Sequence, residues 1–297
     1  MTITDTEPVA IHSGLAGLAD RYDGYILDLW GVVHNGLAPY PGAVDCMRRL
    51  RAAGKRIVLL SNAPRSSAAV RTFLAGIGVA EDCYDDIVTS GDATREALES
   101  RADPWHARLG WTYYYLGKTA DAAILSGLGY IAATSVAGAE FILNLGLADP
   151  ENETVETYRP LLTEALVNHL PLVCGNPDLT VMRGDSMQDC AGALAKAYED
   201  MGGDVFWHGK PHARVYEICF GRMNGVPPER VLAIGDSFRT DIAGANAAGI
   251  DSLFAMGGIH AEEFGLDADG LPDPTLVDPA VDAGGHRPTG VIAGLRW

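Results

Sequence analysis

Asp28, Asp236 and Asp241 are the residues of this chain best placed to do chemistry together. Asp28 closes the apolar run Tyr25-Ile26-Leu27 and is followed at once by Leu29-Trp30-Gly31-Val32. Far downstream, Val231-Leu232-Ala233-Ile234 runs into Gly235-Asp236-Ser237, and Asp241 lies on the same loop. A lone Asp at either place would read as an ordinary loop or helix cap. Carboxylates gathered in one crevice repel each other unless a cation neutralises them, and Mg²⁺ suits one or two carboxylates plus water and a substrate phosphate. Lys210, in His208-Gly209-Lys210-Pro211-His212, offers a compensating positive charge. Ser61 and Asn62, which follow Ile57-Val58-Leu59-Leu60, offer hydrogen-bond donors to an oxyanion.

Residues so far apart in sequence must be gathered by the fold. Apolar runs without alternation, at 25–27, 57–60, 231–234 and 252–256, fit strands buried on both faces of a parallel sheet. Helical patterns lie between them at 41–53, 66–77 and 241–248, with Asp241 expected to cap the last. This alternation predicts right-handed βαβ units in a doubly wound α/β sheet, whose ligands sit at the carboxyl ends of the strands. Asp28, Ser61 and Asp236 all occupy such ends. The middle of the chain has its own α/β rhythm: helices at 92–100 and 153–169, and strands at 112–116, 139–145 and 171–174. We therefore expect three segments: core at 1–84, an inserted α/β lobe at 85–205 with Gly202-Gly203 marking the return, and core again at 206–297. The Asp-, Pro- and Gly-rich tail after Phe264 reads as surface loop.

Composition narrows the function classes. With 22 basic and 39 acidic residues the net charge is −17, which argues against a nucleic-acid partner. The odd set of five cysteines, with no Cys-x-x-Cys pair, predicts reduced thiols and a cytoplasmic protein. MTITDTEPVA has neither a basic nor an apolar signal region. The longest apolar stretch, 130–148, carries Ser135, Glu140 and Asn144, too polar for a membrane span, so no membrane partner is expected.

The segments Asp28-Leu29-Trp30-Gly31-Val32, Leu60-Ser61-Asn62-Ala63, Gly209-Lys210-Pro211 and Gly235-Asp236-Ser237…Asp241 resemble, in order and type, the four motifs of the haloacid dehalogenase (HAD) superfamily. Tyr40-Pro41-Gly42-Ala43 and Gly175-Asn176-Pro177-Asp178 extend the resemblance to subclass IIA, which carries a large α/β cap between the second and third motifs. The resemblance implies a Rossmann-like HAD core with a parallel sheet plus an inserted cap. It also implies a Mg²⁺-dependent phosphatase of a small phosphorylated metabolite. Asp28 would be the nucleophile, forming an aspartyl-phosphate. Mg²⁺ would be held by Asp28, the Trp30 backbone carbonyl, Asp236 and Asp241. Ser61, Lys210 and the backbone N–H groups of Leu29 and Trp30 would cradle the phosphoryl oxygens, with Asn62 orienting the loop. Asn176 and Asp178 would reach the substrate from the cap, although Asn-Pro-Asp is also an ordinary turn. A homodimer is the favoured assembly on the same grounds.

One position departs from the resemblance. Phosphatases of this superfamily carry a second Asp two residues after the nucleophile, which protonates the leaving group and later activates water; here that residue is Trp30. Indole has no acid–base role at neutral pH, and general acid–base catalysis typically contributes about 10²–10⁴-fold. His34 on the same loop is a substitute acid to weigh against a plain loop histidine bonded to backbone. Two other functions follow from Trp30: a dehalogenase-like hydrolase attacking carbon, or a phospho-ligand-binding protein with little turnover. His208 and His212 flank Gly209 and Pro211, a spacing that suits solvent or phosphate contacts better than a zinc pair. Trp111-Thr112-Tyr113-Tyr114-Tyr115 reads as a strand of a mixed sheet. Arg65 and Arg183 are candidates for a second anionic group of the substrate.

Overall fold

The computed structural model describes residues 8–183, 186–257, 264–267 and 271–297. The chain is a parallel-sheet α/β protein that divides into two compact units. One comprises the described residues up to Leu60, Arg71–Ile87 and those from Tyr216 onward; the other comprises Ser61–Val70 and Val88–Val215.

The first unit is built on a seven-stranded sheet. Its strands lie in the order Ala10–His12, Gly290–Ile292, Asp251–Ala255, Val231–Gly235, Gly24–Asp28, Arg56–Ser61 and Asp86–Thr89. Each pairing from Ala10–His12 through to Arg56–Ser61 is parallel. Gly24–Asp28 and Val231–Gly235 are buried at every position, as their unbroken apolar patterns require. Asp23 fastens the start of the three central strands: its carboxylate accepts from Arg230 Nε at 2.7 Å and from Lys55 Nζ at 3.1 Å. The chain moves to one side of Gly24–Asp28 early in the sequence and returns to the other side late. The order reverses between Gly24–Asp28 and Val231–Gly235, and the carboxyl ends beside such a reversal are where open α/β sheets bind their ligands.

Two expectations for this unit need correction. The tail after Phe264 is not all loop, for it contributes the helix Pro274–Gly284 and the buried strand Gly290–Ile292. Asp273 caps that helix by accepting from Thr275 N, Pro274 takes the first position, and Gly285 ends it in a left-handed conformation. Val277 and Val281, one turn apart, join Phe254, Met256 and Val291 in the core. Asp-Pro before a Val-x-x-x-Val spacing is a helix signal that a count of Asp, Pro and Gly obscures. Nor is Asp241 the cap of the next helix. Ser237 caps the turn Phe238–Ile242 by accepting from Thr240 N at 3.3 Å, and Asp241 lies inside that turn, which leads straight into Ala243–Ala248 with no side-chain cap of its own.

The second unit carries a five-stranded sheet in the order Val205–Trp207, Leu172–Cys174, Phe141–Asn144, Thr112–Leu116 and Ile131–Ala132. Every pairing is parallel, so Thr112–Leu116 belongs to a parallel sheet and not a mixed one. The helices Val155–Val167 and Ala191–Asp200 cover it through Tyr158, Leu162, Leu194 and Tyr198. Thr154 starts the first of these with a reciprocal capping box to Thr157. The strands Thr180–Arg183 and Ser186–Asp189 pair antiparallel as a separate hairpin. The Arg183 side chain lies outside the described residues. Among the described residues, no helix is long and apolar enough to cross a membrane, and the five cysteines form no disulfide.

Candidate active site

Each carboxylate of the first unit is placed by a strand end and a turn that only certain residues allow. Asp28 is the last residue of its strand, and Asp236 follows Gly235 at the end of the neighbouring strand. Asp241 is delivered by the turn Phe238–Ile242, in which Ile242 N bonds Ser237 O with a π-type spacing. Such widened turns recur where a helix start must re-aim a side chain. Stacking of Phe238 on Phe254, with centroids 4.0 Å apart, fixes the turn on the sheet. The Tyr216 hydroxyl adds a bond to the Asp241 carbonyl at 3.1 Å.

The three carboxylates converge. One oxygen from each of Asp28, Asp236 and Asp241 lies within 4.8 Å of the other two, although the residues are only 7%, 7% and 5% exposed. Two glycines are shaped to the cluster. Gly31 has φ of +86°, and a Cβ there would run into the Asp236 carboxylate; a Cβ at Gly235 would run into the Asp241 side chain. Asp241 also accepts from Ser237 N at 3.2 Å. The charge on Asp236, together with the larger effect of burial, raises the Tyr40 hydroxyl above its ordinary pKa. A buried set of hard oxygen donors at this spacing fits a hard divalent cation and suits neither a soft metal nor an apolar ligand.

The loop after Asp28 is held by its own backbone. Val33 and His34 N donate to Leu29 O, Gly31 N donates to His34 O, and Tyr40 N donates to Val33 O. Trp30, half-buried, lies edge-on to His34 with centroids 5.6 Å apart, and its ring fills the space over Gly36. His34 itself is 4% exposed between Trp30 and Phe73. Its Nδ1 accepts from Gly36 N at 3.0 Å, and burial pushes its pKa down to about 4. The ring is therefore neutral near pH 7 and is committed to the loop, which is the plain reading of this histidine and not that of a substitute acid.

Ser61, Asn62, Asn176, Asp178 and Lys210 fall in the second unit. The structure brings Asn62, Asp178 and Lys210 together there. Asn62 Oδ1 accepts from Lys210 N at 2.8 Å, and Asn62 Nδ2 donates to Asp178 Oδ1 at 2.8 Å and to Lys210 O at 3.4 Å. Asn62 is thus a linchpin of backbone placement. Asn176 Oδ1 accepts from Asp178 N at 3.0 Å and so builds the turn that presents Asp178. Ser61 Oγ accepts from Ala63 N at 3.2 Å. Arg65 pairs with Asp121 at 3.0 Å.

Sequence reasoning missed a buried partnership in this unit. His208 does not face solvent beside His212. It is buried, with its ring against His106, while His212 stacks on Trp207. Asp103-Pro104, a cap followed by Pro at the first helical position, announces the helical turn that carries His106 but not its pairing with His208.

Comparison with known proteins adds to this geometry. The family described as haloacid dehalogenase-like hydrolase matches residues 25–131, and the family described as HAD-hydrolase-like matches residues 207–283. A crystal structure of a haloacid dehalogenase-like family hydrolase from Brucella suis is 35% identical, covers 96% of this chain and 99% of its own, and superposes with a TM-score of 0.81. D-glycerol 3-phosphate phosphatase of Mycobacterium tuberculosis is 24% identical over 266 residues, covering 89% of this chain and 71% of that protein. Ribonucleotide monophosphatase NagD of Escherichia coli is 25% identical over 264 residues, covering 86% of this chain and 95% of that protein.

Proposed function

This chain belongs to the haloacid dehalogenase-like hydrolase family, and on that premise we propose that it is a magnesium-dependent phosphatase of a small phosphorylated metabolite. The observation that carries the proposal is the convergence of Asp28, Asp236 and Asp241 at the carboxyl ends of two adjacent parallel strands. The names of the relatives, a glycerol phosphate phosphatase and a nucleotide monophosphatase, support a small phosphate ester as the substrate.

In this reading an Asp28 carboxylate oxygen attacks phosphorus, forming an O–P bond as the bond to the leaving oxygen breaks; water then cleaves the aspartyl-phosphate and releases inorganic phosphate. Asp236, Asp241 and the Trp30 carbonyl would hold Mg²⁺ with Asp28. When bound, the ion would screen the approach of two anions and offset charge on the transferring group. Lys210, Ser61 and the N–H groups of Leu29 and Trp30 are assigned to the phosphoryl oxygens. Asn62 orients Lys210 and Asp178 through the bonds described above, and Asn176 and Asp178 are assigned to the substrate side. We take residues 85–205 as the cap that selects the substrate, with 1–84 and 206–297 as the core. Five cysteines without a disulfide support a cytoplasmic setting.

Trp30 favours a second reading, a phospho-ligand-binding protein that turns over slowly, because nothing at that position can protonate a basic leaving group. A dehalogenase-like attack on carbon has less support, since it does not call for three converging carboxylates. Steady-state release of phosphate from an aryl phosphate and a metabolite panel, with Mg²⁺ and with chelator, separates these. Magnesium-dependent turnover that Asp28→Asn abolishes is the expected result. Phosphate binding without release above that variant would favour the second reading, and halo-acid turnover without metal would favour the third.

A further inference from the structure

The second unit holds a polar chain that the proposed reaction does not use, two buried histidines anchored on the partly exposed Asp103. Asp103 Oδ1 accepts from the backbone N–H groups of Trp105 and His106, and Asp103 Oδ2 lies 2.5 Å from His106 Nδ1. The far nitrogen of that ring, His106 Nε2, lies 3.1 Å from His208 Nε2. Both rings are buried, and Phe206 packs on each with centroids 4.4 and 5.0 Å away.

Two imidazole nitrogens at this distance share one proton, because two bare lone pairs or two N–H groups would repel. The Asp103 carboxylate accepts a hydrogen bond from His106 Nδ1–H, which leaves His106 Nε2 as an acceptor and His208 Nε2 as the donor. Burial supports that neutral pair by lowering both pKa values, that of His208 to about 3. A metal between the rings is the competing explanation. Among the described residues, no third His, Cys, Asp or Glu stands within ligating reach of the two.

The pair is joined to the Lys210 segment by one glycine. Gly209 has φ of +108°, and a Cβ there would clash with Ser90 Oγ, Asn62 Oδ1 and Pro177 Cδ. The His208 carbonyl accepts from Ser90 Oγ at 3.2 Å, its N–H donates to Cys174 O at 2.9 Å, and Lys210 N is fixed by Asn62. A segment packed this closely cannot absorb a shift of the His208 ring without moving Lys210.

We propose that Asp103, His106 and His208 form a positioning chain, in which one oriented proton between the two imidazoles sets the placement of Lys210 and hence the affinity for phosphate. The role rests on the reading of Lys210 as a phosphate ligand. His208→Leu keeps the bulk and deletes the donor, whereas His208→Gln keeps an N–H that can reach His106 Nε2.

The test titrates inorganic phosphate in the presence of Mg²⁺ into the full-length wild type and both variants, alongside their kinetics on an aryl phosphate. We expect His208→Leu to weaken phosphate about tenfold and to lower kcat/KM in parallel, with His208→Gln within about threefold of wild type. Equal phosphate affinity in all three, with any change confined to the melting temperature, overturns the role. If the Leu variant does not fold, long-range ¹⁵N–¹H spectra of wild-type histidine side chains decide: protons on His106 Nδ1 and His208 Nε2 support the chain, and any other pattern overturns it. A wild type that binds phosphate without turnover refutes the phosphatase reading alone. One that binds no phosphate refutes both.

Discussion

Asp236→Asn should reverse its effect on stability according to whether magnesium is present. With three carboxylate oxygens within 4.8 Å of one another, each pair repels by about 3.5 kcal/mol at an effective dielectric constant of about 20. The isosteric Asn removes two of the three pairs, a gross relief of about 7 kcal/mol. Hydrogen bonds to the carboxylates and counter-ion screening cut into that figure, and about 2 kcal/mol should survive. In chelator, the variant should therefore melt roughly 3 °C above wild type. Magnesium at about 100 times its dissociation constant stabilises a protein that binds it by about 2.7 kcal/mol, so wild type should overtake a variant whose site is broken. Thermal melts of both proteins in chelator and in Mg²⁺ give the four values needed. The reasoning fails if the variant is no more stable than wild type in chelator, or if both gain equally from the ion.

The neighbouring residues give further expectations. Trp30→Asp should raise turnover of alkyl phosphates toward the roughly 10²–10⁴-fold that general acid–base catalysis supplies, with less gain on aryl phosphates whose leaving groups need no proton; a folded, magnesium-binding variant with no such gain would show that position 30 is not where the proton is missing. Gly31→Ala should cost about 1–2 kcal/mol through the left-handed backbone alone and, by displacing the Asp236 carboxylate, should abolish magnesium-induced stabilisation in the same melts. Arg230 and Lys55 hold the Asp23 carboxyl at about 2, below its ordinary 3.8, so its contribution is fully present above pH 3.8 and is lost as the pH falls through about 2. Asp23 is 45% exposed, so only about 1 kcal/mol of the shift should register; Asp23→Asn should flatten the acid limb of a denaturant-versus-pH series by that amount.

The parallel core and its carboxylates were legible in the sequence because each depends on local pattern. An unbroken apolar run predicts a strand buried on both faces, and the residue after such a run stands at the end where ligands bind. Asp28, Asp236 and Asp241 needed no further information to be singled out. Helix Pro274–Gly284 was not read because its composition resembles loop, whereas its Asp273 cap and the Val277–Val281 spacing are positional signals. The link from Asn62 to Asp178 and the pairing of His106 with His208 were illegible for another reason. Each joins residues about a hundred positions apart through side chains, and no period or motif in a single sequence encodes such a pairing.

Holding a phosphate and releasing an alcohol make separate demands, and this chain meets them unequally. Three carboxylates buried at the carboxyl ends of adjacent strands are costly to fold, and the loops carrying them are shaped to them: neither Gly31 nor Gly235 has room for a Cβ. An arrangement with those costs makes physical sense where a cation offsets the repulsion, which argues for a metal-binding site still intact. Proton delivery is a different matter. Trp30 carries no acidic group, and the nearby His34 is neutral, buried and bonded to Gly36, so neither side chain is an acid able to protonate a strongly basic leaving oxygen. In the proposed reaction, attack by Asp28 would not depend on that proton, but expulsion of an alkoxide would, and the balance would shift with the basicity of the leaving group. On the proposed assignment of the site, the protein would therefore capture many phosphate monoesters and turn over few of them efficiently. On this ground the leaving group, more than the shape of the phosphate pocket, should decide which of the two readings the protein obeys.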